Sequence, residues 1–129
     1  MSGKRPKVLV MDDEEGIRDV LSRMLSLRGV DVETAEEGSV AVAKYRKALE
    51  EGRRFDVVIL DLTVPVGMGG RETMEQLKEI DPGVRGIVAS GYSNDPVMVD
   101  YRTYGFSGSM TKPFVIGEII RQITALVDG

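Results

Sequence analysis

The sequence predicts an α/β fold, a doubly wound parallel sheet of five strands in a single three-layer domain, and three observations carry that expectation. Apolar runs of strand length alternate with segments of helical period, the pattern of repeated βα units. Five such units fit into 129 residues, the size of one domain closing one hydrophobic core. Four of the runs end in polar groups: Val8 to Met11 precedes Asp12 and Asp13, Val57 to Leu60 precedes Asp61, Gly86 to Ala89 precedes Ser90, and Met110-Thr111 precedes Lys112 and Pro113. Sites of open parallel sheets lie outside the carboxyl ends of the strands, so these groups are expected to share one crevice.

Each element has its own signal. The strand Lys7 to Met11 is followed by Ile17, Val20, Leu21, Met24 and Leu25 at three- and four-residue steps, a one-sided helix that closes near Gly29. A second strand over Val30 to Thr34 leads into Ser39 to Leu49, where Val40, Ala41, Ala43, Lys44, Ala48 and Leu49 form a shallower, Ala-rich stripe. After Gly52, the strand Asp56 to Leu60 runs apolar up to Asp61, as a central strand covered on both faces does. The Pro- and Gly-rich stretch Thr63 to Gly70 reads as a loop, Arg71 to Ile80 as a helix containing Met74 and Leu77, and Asp81-Pro82-Gly83 as its stop. Strand four, Val84 to Ala89, gives way to the loop Ser90 to Pro96, in which Asp95 caps a fourth helix, Val97 to Tyr104, terminated by Gly105. Strand five, Phe106 to Met110, is short and less apolar, which suits a sheet edge. Val115 to Val127 then places Ile116, Ile119, Ile120, Ile123 and Leu126 on one helical stripe. Residues 1–6 are expected as a tail and 7–127 as the domain, with no internal repeat or linker.

Composition removes several chemistries. With no Cys and no His, the chain has no thiolate or imidazole to serve as nucleophile, base or metal ligand, and cannot itself carry a phosphohistidine. A formal charge of -4, with Lys and Arg scattered among acids, gives no basic footprint for nucleic acid. The N-terminal residues lack the apolar stretch of a signal peptide and no run is long enough to span a membrane. A soluble, cytoplasmic protein with no direct contact to membrane or nucleic acid is therefore expected.

The four strand ends suit phosphoryl transfer, which asks a protein mainly to position groups and neutralise charge around phosphorus. Asp12, Asp13 and Asp61 against Lys112 leave the crevice at about -2, which repels a phosphorylated donor until a divalent cation brings it near zero. Oxygen ligands alone point to Mg²⁺. Asp61 is the best nucleophile because it stands alone at a strand end, whereas the adjacent acids Asp12 and Asp13 diverge and suit metal holding. Ser90 and Lys112 would bind oxygens of the transferred group. Taken singly, each residue has a plainer reading: Asp12 to Glu15 as acids at a helix N-terminus, Asp61 as a loop acid, Ser90 as a turn residue, Lys112 as an edge charge. Their joint placement favours function.

At these residues the chain resembles the receiver domain of two-component response regulators. The likeness runs from about Lys7 to Leu126 and rests on Val-Leu-Val-Met-Asp12-Asp13-Glu, Val-Val-Ile-Leu-Asp61-Leu-Thr-Val-Pro65, Ile-Val-Ala-Ser90-Gly91 and Met-Thr-Lys112-Pro113-Phe114. It implies a flavodoxin-like sheet in the order 2-1-3-4-5, with Asp61 accepting a phosphoryl group from a histidine kinase or a histidine phosphotransfer protein. By the same resemblance Asp12 and Asp13 hold Mg²⁺, the backbone carbonyl of Thr63 completes the metal site, and Ser90 and Lys112 engage the phosphoryl group. Pro113 matches a proline usually preceded by a cis peptide bond. Two features depart from the family: Ser109 stands where an aromatic switch residue is frequent, and the loop Pro65 to Gly70 is one residue longer than the common Pro-x-Met-Asp-Gly form. The loops at Ser90 to Ser93 and Gly105 to Gly108 resemble receivers fused to hybrid sensor kinases, so a kinase or output domain is an expected neighbour in a longer protein.

Two other classes compete. An aspartate-nucleophile phosphatase resembling the haloacid dehalogenases would need Asp-x-Asp, and Thr63 occupies the second place. A non-phosphorylated interaction module of the same fold has no need of the intact set Asp12, Asp13, Asp61, Ser90 and Lys112. A dinucleotide site at Gly67 to Gly70 is weak, because those glycines do not form Gly-x-Gly-x-x-Gly.

Overall fold

The computed structural model describes residues 5–128. Residues 1–4 of the expected tail lie outside them. Five strands form one parallel sheet in the order β2-β1-β3-β4-β5. They are β1 (Lys7–Met11), β2 (Asp31–Ala35), β3 (Val57–Asp61), β4 (Gly86–Ser90) and β5 (Gly108–Thr111), connected through α1 (Glu15–Leu27), α2 (Gly38–Glu50), α3 (Gly70–Ile80), α4 (Pro96–Val99) and α5 (Ile116–Asp128). The five-unit α/β fold and its strand order are as the sequence and the resemblance implied.

Strand alternation divides the core into two layers. Leu9, Met11, Val58 and Leu60 point to one face, where they meet Ala41 and Tyr45 of α2, Met74 and Leu77 of α3, and Val97 and Met98 of α4. Val8, Val10, Val57 and Ile59 point to the other, against Leu21 and Leu25 of α1 and Ile119 and Ile123 of α5. Central strands β3 and β4 are buried at every residue, while the edge strands β2 and β5 alternate. The helix stop foreseen near Gly29 is a Schellman motif: Gly29, at φ 82°, donates its N–H to Ser26, and the next N–H, of Val30, reaches back to Leu25.

The strands sit up to two residues off their sequence-predicted bounds. β4 starts at Gly86 rather than Val84 and β5 at Gly108 rather than Phe106, so Asp61 and Ser90 are the last residues of their strands rather than the first beyond them. The largest correction falls on the fourth helix, expected over Val97 to Tyr104. Asp95 caps it as foreseen, accepting from the Val97 N–H at 2.9 Å, but the helix ends at Val99. Asp100 leaves helical geometry at φ -120°, ψ 50°, and its carboxylate accepts from the Thr103 hydroxyl at 2.8 Å. Thr103, Tyr104 and Gly105 then bond three residues back rather than four. Local side-chain bonding by Asp and Thr competes here with helix continuation.

Candidate functional site

The carboxyl ends of β1, β3, β4 and β5 bring Asp12, Asp61, Ser90 and Lys112 to one rim of the sheet. Backbone bonds tie the exits together: Leu62 N–H donates to the Ala89 carbonyl at 2.8 Å, Lys112 N–H to the Ser90 carbonyl at 2.9 Å, and Asp12 N–H to the Ala35 carbonyl at 3.0 Å. Asp12 and Asp61 are almost fully covered, at 1% and 4% exposure, while Asp13 is open to solvent. The adjacent acids thus differ in exposure, though not in direction: both bring an oxygen to the same crevice.

The charges are arranged around one cation. Lys112 Nζ lies 2.8 Å from Asp12 Oδ2 and 3.6 Å from Asp61 Oδ2, bridging two buried carboxylates. The ammonium expected to face the phosphoryl group therefore sits more tightly on Asp12. Burial penalises the Lys112 charge, but the Asp12 hydrogen bond and the nearby carboxylates outweigh it and raise its pKa. Asp61 is pushed up to about 7, first by burial and further by the Asp12 charge and a hydrogen bond with Asp13, against the opposing pull of Lys112 and the Thr63 N–H. Near neutral pH a proton on Asp61 thus relieves part of the repulsion that a simple count assigns to a cation.

The turn after β1 is held locally. Asp12 Oδ1 accepts from the Glu14 N–H at 2.9 Å, and Arg18, one turn into α1, donates to the Asp12 carbonyl at 2.9 Å. Asp13 and Glu14 do not cap α1 through their side chains; Glu14 is the capping position and makes no such bond. Across the crevice, Thr63 N–H approaches Asp61 Oδ1 at 3.4 Å. The Ser90 hydroxyl is buried and accepts from Tyr92 N–H at 3.0 Å. The Lys112–Pro113 peptide is cis.

Ser109 does not join this cluster. It is half-buried on the edge strand, its carbonyl accepts from Gln122 at 3.0 Å, and it shares an open groove with Tyr101 and Arg121. Arg18 was not singled out by the sequence, which offers only its position on the first turns of α1. A separate apolar groove of about 720 Å³ opens between α1 and α5 beside Lys112, with Ile17, Val20, Met24, Phe114 and Ile116 in its walls.

Among the described residues, Asp12, Asp13 and Asp61 each offer an oxygen within 4.8 Å of the others. Three carboxylates with no softer ligand fit a hard divalent cation of the Mg²⁺ kind, which keeps part of its water shell. A parallel sheet that gathers such an acid cluster and a lysine at its carboxyl rim has the site architecture of a signalling receiver. The match of the response regulator receiver domain family to residues 8–124 makes the assignment specific: the chain belongs to that family of two-component signalling proteins.

Relatives agree with the assignment. The chain is 32% identical over 113 residues to sporulation initiation phosphotransferase F of Bacillus subtilis, covering 88% of this chain and 86% of that protein. It is 34% identical over 122 residues to the transcriptional regulatory protein PrrA of Mycobacterium tuberculosis, covering 95% of this chain but 50% of the relative. The chain spans about half the length of several regulators it matches, 51% and 45% in two further cases. The CheX-CheY-BeF3-Mg²⁺ complex of Borrelia burgdorferi superimposes with a TM-score of 0.86 at 25% identity, over 96% of this chain and 90% of the other.

Proposed function

We propose that this receiver is a Mg²⁺-dependent phosphoacceptor in a two-component phosphorelay, with Asp61 as the residue modified. The observation that carries the reading is the convergence of Asp61 with Asp12, Asp13 and Lys112 on one rim. The donor is a phosphohistidine on a histidine kinase or a histidine phosphotransfer protein. A carboxylate oxygen of Asp61 forms the new P–O bond as the P–N bond breaks, and the electron pair leaves with the imidazole. Asp12, Asp13, Asp61 and the Thr63 carbonyl would hold the cation, which when bound would neutralise charge on the transferring phosphoryl oxygens. Lys112 needs only a short movement from Asp12 to bind one of those oxygens, and the Ser90 hydroxyl, on leaving Tyr92, can bind another. Withdrawal of Ser90 from Tyr92 N–H loosens the loop that leads into α4, and so passes the charge change at Asp61 to the surface.

The apolar groove between α1 and α5 opens onto Lys112 and gives a protein donor a contact surface continuous with the site. A catalytic turnover of small substrates is not part of this reading; the domain assists its own modification and dephosphorylation and acts in the cytoplasm, with residues 7–127 as the folded receiver. No helix among the described residues is long and apolar enough to cross a membrane. Incubation with acetyl phosphate and Mg²⁺, followed by intact-mass measurement, should add one phosphoryl group to the wild type and none to Asp61→Asn. Equal modification of both proteins would overturn the assignment.

A further inference from the structure

The loop between β3 and α3, residues 62–69, begins one residue after Asp61 and carries Thr63. Its root is pinched shut. A Cβ on Gly69 would stand 2.8 Å from the Leu62 carbonyl oxygen, and one on Gly70 would stand 2.7 Å from that of Asp61, so only glycine allows the start of α3 to lie this close to the end of β3. Leu62 and Val64 turn inward against the core. The arm of the loop that leads into α3 has a separate anchor at Met68. Glu37 Oε1 accepts from the Met68 N–H at 3.2 Å and from the Ser39 N–H at 2.8 Å, while its other oxygen meets the Ser39 hydroxyl. Gly38 N–H donates to the Met68 carbonyl at 2.8 Å.

The anchor leaves no spare room. Gly67 has φ 101°, and a Cβ there would lie 2.9 Å from the Glu37 side chain; a Cβ on Gly38 would lie 2.1 Å from Thr73 Oγ1 and 2.6 Å from Met68 Cβ. Thr73, fully buried on α3, donates to the Gly69 carbonyl at 2.7 Å. The loop is thus clamped at both ends, and Thr63 sits between the clamps. A loop with free arms has many conformations to lose, and a side chain that fixes one arm removes part of them.

We propose that Glu37 is a positioning residue for the Asp61 site, latching the α3 end of the loop to the start of α2 so that the loop closes in one conformation with Thr63 beside Asp61. The proposal rests on the reading of Asp61 as a Mg²⁺-dependent phosphoacceptor. Glu37 touches neither substrate nor cation. It acts by selecting one loop conformation, while the same carboxylate also caps α2 through the Ser39 N–H.

Three substitutions separate the latch from simple helix capping. Glu37→Gln keeps the oxygen that accepts from Ser39 and Met68. Glu37→Ser keeps a good capping side chain for α2 but is too short to reach Met68. Glu37→Ala removes both. Mg²⁺ affinity in the presence of beryllofluoride and amide hydrogen exchange at Met68 are measured for each in the whole chain. The latch predicts that Ser and Ala variants alike lose about threefold to tenfold in Mg²⁺ affinity and exchange Met68 faster, while Gln stays near the wild type. A Ser variant equal to the wild type in both readouts overturns the latch and leaves a capping role. Wild-type protein that binds no Mg²⁺ overturns the site reading itself, whereas a wild type that binds and an Ala variant that matches it overturn the latch alone. If the Ala variant fails to fold, the Ser and Gln pair decides.

Discussion

Two carboxylates at opposite ends of the sheet show what partners do to a covered acid. At the amino end Asp81, just past α3, accepts from the Tyr45 hydroxyl at 2.7 Å and the Gly83 N–H at 3.0 Å, with Arg54 at 3.5 Å. Burial opposes its charge, yet these donors win and hold its pKa below the usual carboxylate range. At the carboxyl end Asp61 has other acids for neighbours and one lysine shared with Asp12, and its pKa is pushed up to about 7. Asp81 is saturated and serves cohesion. Asp61 is under-supplied, and a covered carboxylate near its titration point is the kind of group that marks a functional site.

The most severe way to break this contrast is to neutralise each acid in turn. Asp61→Asn should abolish phosphorylation and, in metal-free buffer, raise stability. The sign follows from the raised pKa: the folded state holds a proton that the unfolded chain gives up near pH 4, so a stability penalty grows from about pH 4 to about 7 and is complete above it. The gain on Asp61→Asn should therefore be largest above pH 7, up to about 4 kcal/mol, and vanish near pH 4, as read by denaturant melts across that range. A loss of stability at pH 8 would contradict the assigned strain.

Lys112→Met should come next in size. It removes the cation that, among the described residues, Asp12 and Asp61 share, leaves two covered carboxylates facing each other, and moves the Asp61 titration further upward. Phosphorylation by acetyl phosphate is expected to slow by at least about tenfold, following loss of a charge stabiliser at the reacting group. An unchanged rate would remove Lys112 from the site.

Mg²⁺ itself supplies a milder test. Because binding must displace a proton from Asp61, affinity should rise with pH up to about 7 and flatten above it, falling by as much as about tenfold per unit on the acid side. Isothermal titration in buffers of different ionisation enthalpy would register the released proton, and its absence at pH 6 would show that Asp61 binds the cation without titrating.

The smallest effect belongs to the amino end. Tyr45→Phe should cost about 1–2 kcal/mol, since it removes a donor from Asp81 but leaves Gly83 and Arg54 in place. Asp81 contributes stability that is present above its unfolded pKa and is lost as pH falls through its lower folded value. The wild type should therefore lose more stability on acidification below pH 4 than Tyr45→Phe does, and Mg²⁺ affinity should be unaltered.

What was legible in the sequence follows the range of the forces involved. β3 and β1 were readable because burial on both faces makes the whole run apolar, and Asp12, Asp61, Ser90 and Lys112 were readable because they sit directly after such runs. α4 misled because Val97, Met98 and Tyr101 keep helical spacing while Asp100 and Thr103 bond locally and end the helix. Glu37 was invisible because its partner Met68 lies 31 residues away and the bond goes to backbone, which leaves no mark on residue type. The raised pKa of Asp61 was equally hidden, since it depends first on how deeply the fold buries the carboxylate and then on how near it brings the Asp12 charge, against the pull of Lys112.

The bonds from Leu62 to Ala89 and from Lys112 to Ser90 have a consequence for tolerance to change. They fasten each exiting segment to its neighbour at the root, so a connection can gain or lose residues farther out with the register of the rim preserved. In such an arrangement spare length is modular: it alters what a connection reaches, and leaves where it departs untouched. The segment after Asp61 is an instance, leaving β3 from a root pinned by the Leu62–Ala89 bond.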